Sequence, residues 1–194
     1  MLIEEWIQKE LLSFDMSDTC CKWLAADPLF LDTETTGLNE NAEIVELAVV
    51  NVRGEVLVDT LIKPVNPIPE EVSLLHGITN EMVDDAPCWR DVYLEVVPFL
   101  TGRLILSYNA AFDSRIIDQS CRLYRLPPPS ADWRCVMQMY KDHTHNHKFV
   151  KLSSAAADCQ VTVPNQIHRA LADTLLCLGI VRYIGTGTAQ TLTM

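Results

Sequence analysis

Apolar positions along the chain follow two periodicities. At the N-terminus Leu2, Ile3, Trp6, Ile7, Leu11 and Leu12 recur at helical spacing, which predicts an amphipathic helix. A second short helix is expected from Ser17 or Asp18, with Cys21 and Leu24 on its inner face. After Pro28 the pattern changes to short, unbroken apolar runs. LFLDTE reads as a buried strand, and EIVELAVVNV and GEVLVDTLIK as two antiparallel strands joined by a tight turn at Arg53 and Gly54. PVNPIPEEV is a proline-punctuated loop entering a short helix that ends near His76 and Gly77, and TNE after it has the look of a new helix cap. CWRDVYLEVVPFL predicts an amphipathic helix, LILSY a buried strand, and AFDSRIIDQSCRLYRL a helix stopped by three prolines. Further helices are expected near residues 135–141 and 152–158. The last helix, from about residue 167 to 184, is apolar almost all round and therefore buried. The final GTGTAQTLTM reads as a frayed tail.

Three strands first, then strands and helices in alternation, imply an α/β fold with a mixed sheet and helices packed on it. The organisation is a helical extension over residues 1–27, one domain over 28–184, and a flexible tail over 185–194. The extension either packs on the domain or presents a surface to a protein partner; pattern alone leaves both open.

Composition narrows the class. At 194 residues, 48% hydrophobic and 21% charged, the chain suits one globular domain. No apolar run approaches the roughly 20 residues of a membrane span. The early acids of MLIEEWIQKELL are unlike a signal peptide, so a cytoplasmic protein away from membranes is expected. Seven cysteines, an odd number with no CxxC pair, point to reduced thiols rather than disulfides or zinc. A net charge of −11 argues against coating long stretches of nucleic acid, where affinity comes from many Lys and Arg contacts. It leaves room for an enzyme that grips one chain end through metal ions.

The chemistry lies in three segments. In DTETTGL, strand alternation puts Asp32 and Glu34 on one face at the end of a buried strand. Two carboxylates there repel each other and resist desolvation, and a divalent cation relieves both costs, with oxygen ligands suiting Mg²⁺ or Mn²⁺. In SYNAAFDSRI, Asp113 lies in the first turn of a helix just past a buried strand, and Asn109 is a candidate cap or turn residue. In HRALADTLL, Asp173 sits inside the apolar last helix, where a lone carboxylate needs a partner. His168 precedes it by five residues, too far around a helix for an i, i+4 ligand pair, and is placed at the helix start, free to reach a water.

These segments together closely resemble the DnaQ-like exonucleases, the DEDD family in its histidine-bearing subclass. The resemblance spans roughly residues 28–184 and is carried by Asp32-Thr33-Glu34, by Asn109 to Asp113, by His168 with Asp173, and by LHGIT before residue 80. It implies a ribonuclease H-like mixed five-stranded sheet flanked by helices, and a 3′-5′ exonuclease that releases nucleoside 5′-monophosphates from single-stranded DNA or RNA ends. It further implies two ions, Mg²⁺ or Mn²⁺, held by Asp32, Glu34, Asp113 and Asp173, with His168 as general base. Thr33, Thr35, Glu71, His76 and Asn109 correspond to substrate-binding positions. An exonuclease subunit or nuclease-fold adaptor within a larger nucleic-acid-processing complex is the alternative. Tyr108 departs from the family, where histidine often precedes the Asn. Outside the motifs, HTHNH would set three histidines on one face of an extended segment, and Arg115, Lys148, Lys151 and Arg169 are candidate phosphate contacts.

Overall fold

The computed structural model describes residue 11 and residues 16–163, 168–188 and 192. The predicted first helix lies almost wholly outside the described residues. The next, α1, covers residues 16–25, but it buries Cys20 rather than Cys21, which is exposed. Its inner face is set by docking on the end of the last helix, where Ser17 Oγ donates to the Ile184 carbonyl at 2.9 Å.

Five strands form one mixed sheet: β1 (Leu29–Thr35), β2 (Ile44–Asn51), β3 (Val56–Leu61), β4 (Leu104–Ser107) and β5 (Asp132–Cys135), in the order β3-β2-β1-β4-β5. The β1–β2 and β2–β3 pairs are antiparallel, and β1–β4 and β4–β5 are parallel. The hairpin turn is fixed by Asn51, whose side-chain oxygen accepts from the backbone N–H groups of Arg53 and Glu55, and by Gly54 at φ 84°. β5 was not separable by pattern. It is a four-residue edge strand of alternating exposure, DWRC, too short to show a period.

The helices are α2 (Glu70–His76), α3 (Asn80–Val83), α4 (Trp89–Leu100), α5 (Ala110–Leu123), α6 (Val136–Thr144), α7 (Leu152–Asp158) and α8 (Ala170–Thr186). Two endpoints differ from expectation. α5 stops at Leu123, before the prolines, because Arg125 turns left-handed at φ 56°. α8 begins at Ala170, and His168 stands ahead of it with φ 58°. The HTHNH segment is not extended: His143 and Thr144 end α6, and His145 closes it in a left-handed conformation, so its histidines do not share a strand face.

Alternation along β1 sorts the core. Phe30 joins Val50, Leu106, α6, α7 and α8 on one face of the sheet. Leu29 and Leu31 join α4 and α5 on the other. Among the described residues no helix is long and apolar enough to cross a membrane.

Candidate active site

The same alternation carries on past the core to the polar end of β1. Asp32 and Glu34 continue the Phe30 face and meet α8, while Thr33 continues the Leu31 face and meets α5. Oxygens of Asp32, Glu34 and Asp173 accordingly lie within 4.8 Å of one another. Asp113 comes from the opposite helical layer. Thr33 Oγ1 donates to its Oδ1 at 2.8 Å, and Ser107 Oγ, at the end of β4, donates to its Oδ2. The four acids thus converge from the end of one strand, β1, and from two helices, α5 and α8.

The electrostatics are those of a site built for cations. Burial, and then the neighbouring acids, push the carboxyl of Asp32 well above its usual range. Glu34 is pushed up to about 8 by burial, with Asp173 and Glu46 adding to it and Arg169 opposing. Burial lifts Asp113 to about 6, against the lowering effect of the Ser107 and Thr33 hydroxyls. Asp173 also stands at about 6, raised by burial and held down by His168. A crowded, partly desolvated set of oxygen donors matches a hard divalent cation, which would supply the missing positive charge.

His168 is exposed beside this cluster, outside α8, near enough to lower the Asp173 carboxyl pKa. Its neighbour Arg169 is not free to meet a phosphate, as had been expected. The Arg169 guanidinium is bound by Glu46, with Nε 2.9 Å from one carboxylate oxygen and 3.1 Å from the other, and the same carboxylate accepts from the Ala170 N–H at 2.9 Å. Glu46 lies directly across from Glu34 on β2, on the α8 face. Sequence reasoning passed over it, since EIVEL reads as a plain strand; its partner lies 123 residues away. Arg115 is likewise occupied, bonding Gln119 Oε1 at 2.6 Å and the carbonyls of Leu38 and Asn39.

The expected substrate contacts fall around the rim. The Thr35 hydroxyl donates to the Gly37 carbonyl at 2.7 Å. His76 is buried: its Nδ1 accepts from the Ile78 N–H at 3.0 Å, which leaves Nε2–H to donate to the Thr35 carbonyl at 3.2 Å. Burial depresses its pKa, so the ring is a neutral tie between α2 and the end of β1. Glu71 is exposed on α2, and Asn109 occupies the N-cap position of α5 with an exposed side chain that makes no cap bond. Tyr108 is buried, and its hydroxyl donates to the Val150 carbonyl at 2.7 Å, pinning the segment before α7. A polar cleft of about 650 Å³ lies beside the loop after β1, lined by Asn39, Glu43, Asn66 and Gln119; none of the four acids lines it.

A family of sequences described as Exonuclease (RNase_T) matches residues 29–181, a span that holds all four acids and His168. The chain belongs to the DnaQ-like 3′-5′ exonucleases. It is 38% identical over 186 residues to the uncharacterized exonuclease CP81 of Escherichia phage 186, covering 90% of this chain and 96% of that one. It is 36% identical over 152 residues to the PolC-type DNA polymerase III of Thermotoga maritima, covering 74% of this chain but only 11% of the polymerase. Among solved structures it is similar to exonuclease X in complex with 5′ overhanging duplex DNA, at 27% identity and a TM-score of 0.62, covering 83% of this chain and 93% of that one. The nuclease domain of 3′hExo, a DEDDh family member bound to rAMP, shares the fold at 22% identity and a TM-score of 0.67, covering 84% and 93%. The ribonuclease H-like sheet expected from the motifs is the sheet observed. As a member of this family the protein is a hydrolase, a 3′-5′ exonuclease. Exonucleases of this family generally use divalent metals, and a cluster of acids that could hold one is present.

Proposed function

We propose that the protein removes nucleoside 5′-monophosphates one at a time from the 3′ ends of single-stranded DNA or RNA. The observation that carries this is the convergence of Asp32, Glu34 and Asp173 within 4.8 Å, with Asp113 held alongside by two hydroxyls. In this reading Asp32, Glu34, Asp173 and Asp113 would hold two divalent cations, Mg²⁺ or Mn²⁺. Such ions supply a more acidic water and stabilise the oxygen that leaves. His168, exposed and outside the carboxylate cluster, takes the proton as water attacks the terminal phosphodiester, a general-base role that imidazole commonly fills. The bond from phosphorus to the 3′ oxygen of the preceding nucleotide breaks, and that oxygen leaves as the new 3′ hydroxyl after taking a proton from solvent. Thr33, Thr35 and His76 shape the end of β1 beside the terminal nucleotide, with Glu71 and Asn109 at the rim. Lys148 and Lys151, both exposed, remain the candidate phosphate contacts.

The test is product analysis. Matched DNA and RNA oligonucleotides are incubated with the protein and Mg²⁺ or Mn²⁺, and the products separated by chromatography. Nucleoside 5′-monophosphates are expected, formed much more slowly by His168→Ala. Nucleoside 3′-monophosphates would rule the reading out. Preference for one sugar decides between DNA and RNA.

A second reading, the catalytic subunit of a larger complex, is favoured by similarity to replicative polymerase components. One is DNA polymerase III subunit epsilon of Aquifex aeolicus, 28% identical over 150 residues, covering 75% of this chain and 74% of that one. The two readings share one chemistry and differ in what delivers the 3′ end.

A further inference from the structure

We infer that Glu46 and Arg169 form a clamp whose task is to position His168 over the acid cluster. The inference deepens the proposed function and rests on it.

The clamp joins two elements that the site needs in fixed relation. Glu46 belongs to β2, directly across from Glu34, and the residue is 2% exposed. Its two oxygens are taken up by the Nε and an Nη of Arg169 and by the Ala170 N–H. A charged, bidentate pair of this kind fixes direction as well as distance. A backbone N–H at the first residue of α8 is tied to the sheet by the same carboxylate. The start of α8 therefore cannot slide or rotate without breaking several bonds at once.

His168 is the residue directly before this anchor. It adopts φ 58°, a left-handed conformation that is uncommon for a non-glycine residue and costs energy to hold. Among the described residues, the bonds that impose it from the C-terminal side are those of Arg169 and Ala170 to Glu46. His168 itself is exposed, and among the described residues its backbone anchor is the bonded pair that follows it. Asp173 lies further inside α8, and its backbone N–H bonds the Arg169 carbonyl at 3.0 Å. The clamp thus sits between the candidate base and the ligand-bearing turn. Arg169 also opposes the charge of Glu34, so placing the clamp there offsets the repulsion between Glu34 and Glu46 across the strands. Glu46 and Arg169 are positioning residues: they act through His168 and do not touch the reacting atoms.

The test is a coupling measurement on the full chain with Mg²⁺ and a single-stranded oligonucleotide, read as kcat and KM from steady-state rates over a range of oligonucleotide concentrations. Arg169→Ala and Glu46→Gln are each combined with His168→Ala. Displacing a reacting group by about an ångström costs on the order of a hundredfold, so Arg169→Ala should lower kcat by about that factor with KM unchanged. In the His168→Ala background the same change should have no further effect. The pair Glu46→Met/Arg169→Met removes the clamp without stranding a buried charge, and it should lower kcat as much as Arg169→Ala while retaining cooperative unfolding. Independently, the ring signals of His168 in ¹⁵N-histidine-labelled, metal-free protein should shift or broaden in Arg169→Ala. An equal loss of rate with and without His168 would assign the pair to the fold, and a raised KM with unchanged kcat would assign Arg169 to phosphate binding; either overturns the inference. Unaltered His168 signals would overturn it too. If His168→Ala alone leaves the rate unchanged, it is the general-base reading that fails instead.

Discussion

Asp113 is held by two hydroxyls, and that arrangement has a measurable consequence. Thr33 and Ser107 both stabilise its charged form. Replacing Ser107 with alanine, or Thr33 with valine, should raise the Asp113 pKa further and free its carboxylate to turn. Loss of such a supporting contact typically weakens metal binding by about 10- to 100-fold, and calorimetric titration with Mn²⁺ should show a weakening in that range. The four acids also set a pH dependence. Their folded-state values are raised, so the folded protein keeps protons that the unfolded chain has already released. With respect to these groups stability is complete below the ordinary carboxylate range and falls as pH rises through about 6 for Asp113 and Asp173 and about 8 for Glu34. His76 has the opposite sense, since its pKa is lowered from 6.5 and its contribution is lost only as pH falls below that value. The metal-free melting temperature should therefore decline from about pH 6.5 to about pH 8.5, and saturating Mg²⁺ should abolish the decline. At this scale much was legible. The two-residue spacing in DTE placed Asp32 and Glu34 on one face, and an acid inside an apolar helix marked Asp173. Glu46 was not legible, because nothing local distinguishes a solvated strand acid from one bound to an arginine 123 residues away. For the same reason Arg169 passed for a phosphate contact.

Elements were read with uneven success, and the misses have physical causes. Strands that run unbroken and apolar, such as β1 and β2, declared themselves. β5 did not, and the end of α5 was set by a left-handed turn at Arg125 rather than by the prolines after it. α8 depends on close approach: a Cβ on Gly179 would stand 2.3 Å from Val161 Cγ1. Gly179→Ala should thus destabilise the protein by about 1–3 kcal/mol, and adding Val161→Ala should recover part of the loss in chemical denaturation. The N-terminal segment was left open between packing and partner binding. α1 buries Cys20 in the core that contains Val181 and Ile184, and Cys21 Sγ donates to the Gly185 carbonyl at 3.1 Å. Deleting residues 1–27 would uncover that core at the end of α8. The truncated protein should melt at a clearly lower temperature; an unchanged melting temperature would return the segment to the partner-binding role.

At the scale of the whole molecule, two helical layers clasp one mixed sheet, and the site forms where the layers meet beyond the ends of β1 and β4. One face delivers Asp173 to Asp32 and Glu34; the other delivers Asp113. A net charge of −11 fits a protein that concentrates its grip at one chain end rather than along a strand. The three motifs carry the family resemblance, and the resemblance implied the ribonuclease H-like architecture, while the polymer acted on was not legible: discrimination of RNA from DNA rests on contacts to one hydroxyl group. The most direct test follows a 5′-labelled single-stranded oligonucleotide through a time course with Mg²⁺, for the intact protein and for Asp173→Asn. The predicted result is a ladder that shortens from the 3′ end, absent with the variant and absent with a chelator. Equal digestion in the presence of the chelator, or undiminished digestion by Asp173→Asn, would contradict it.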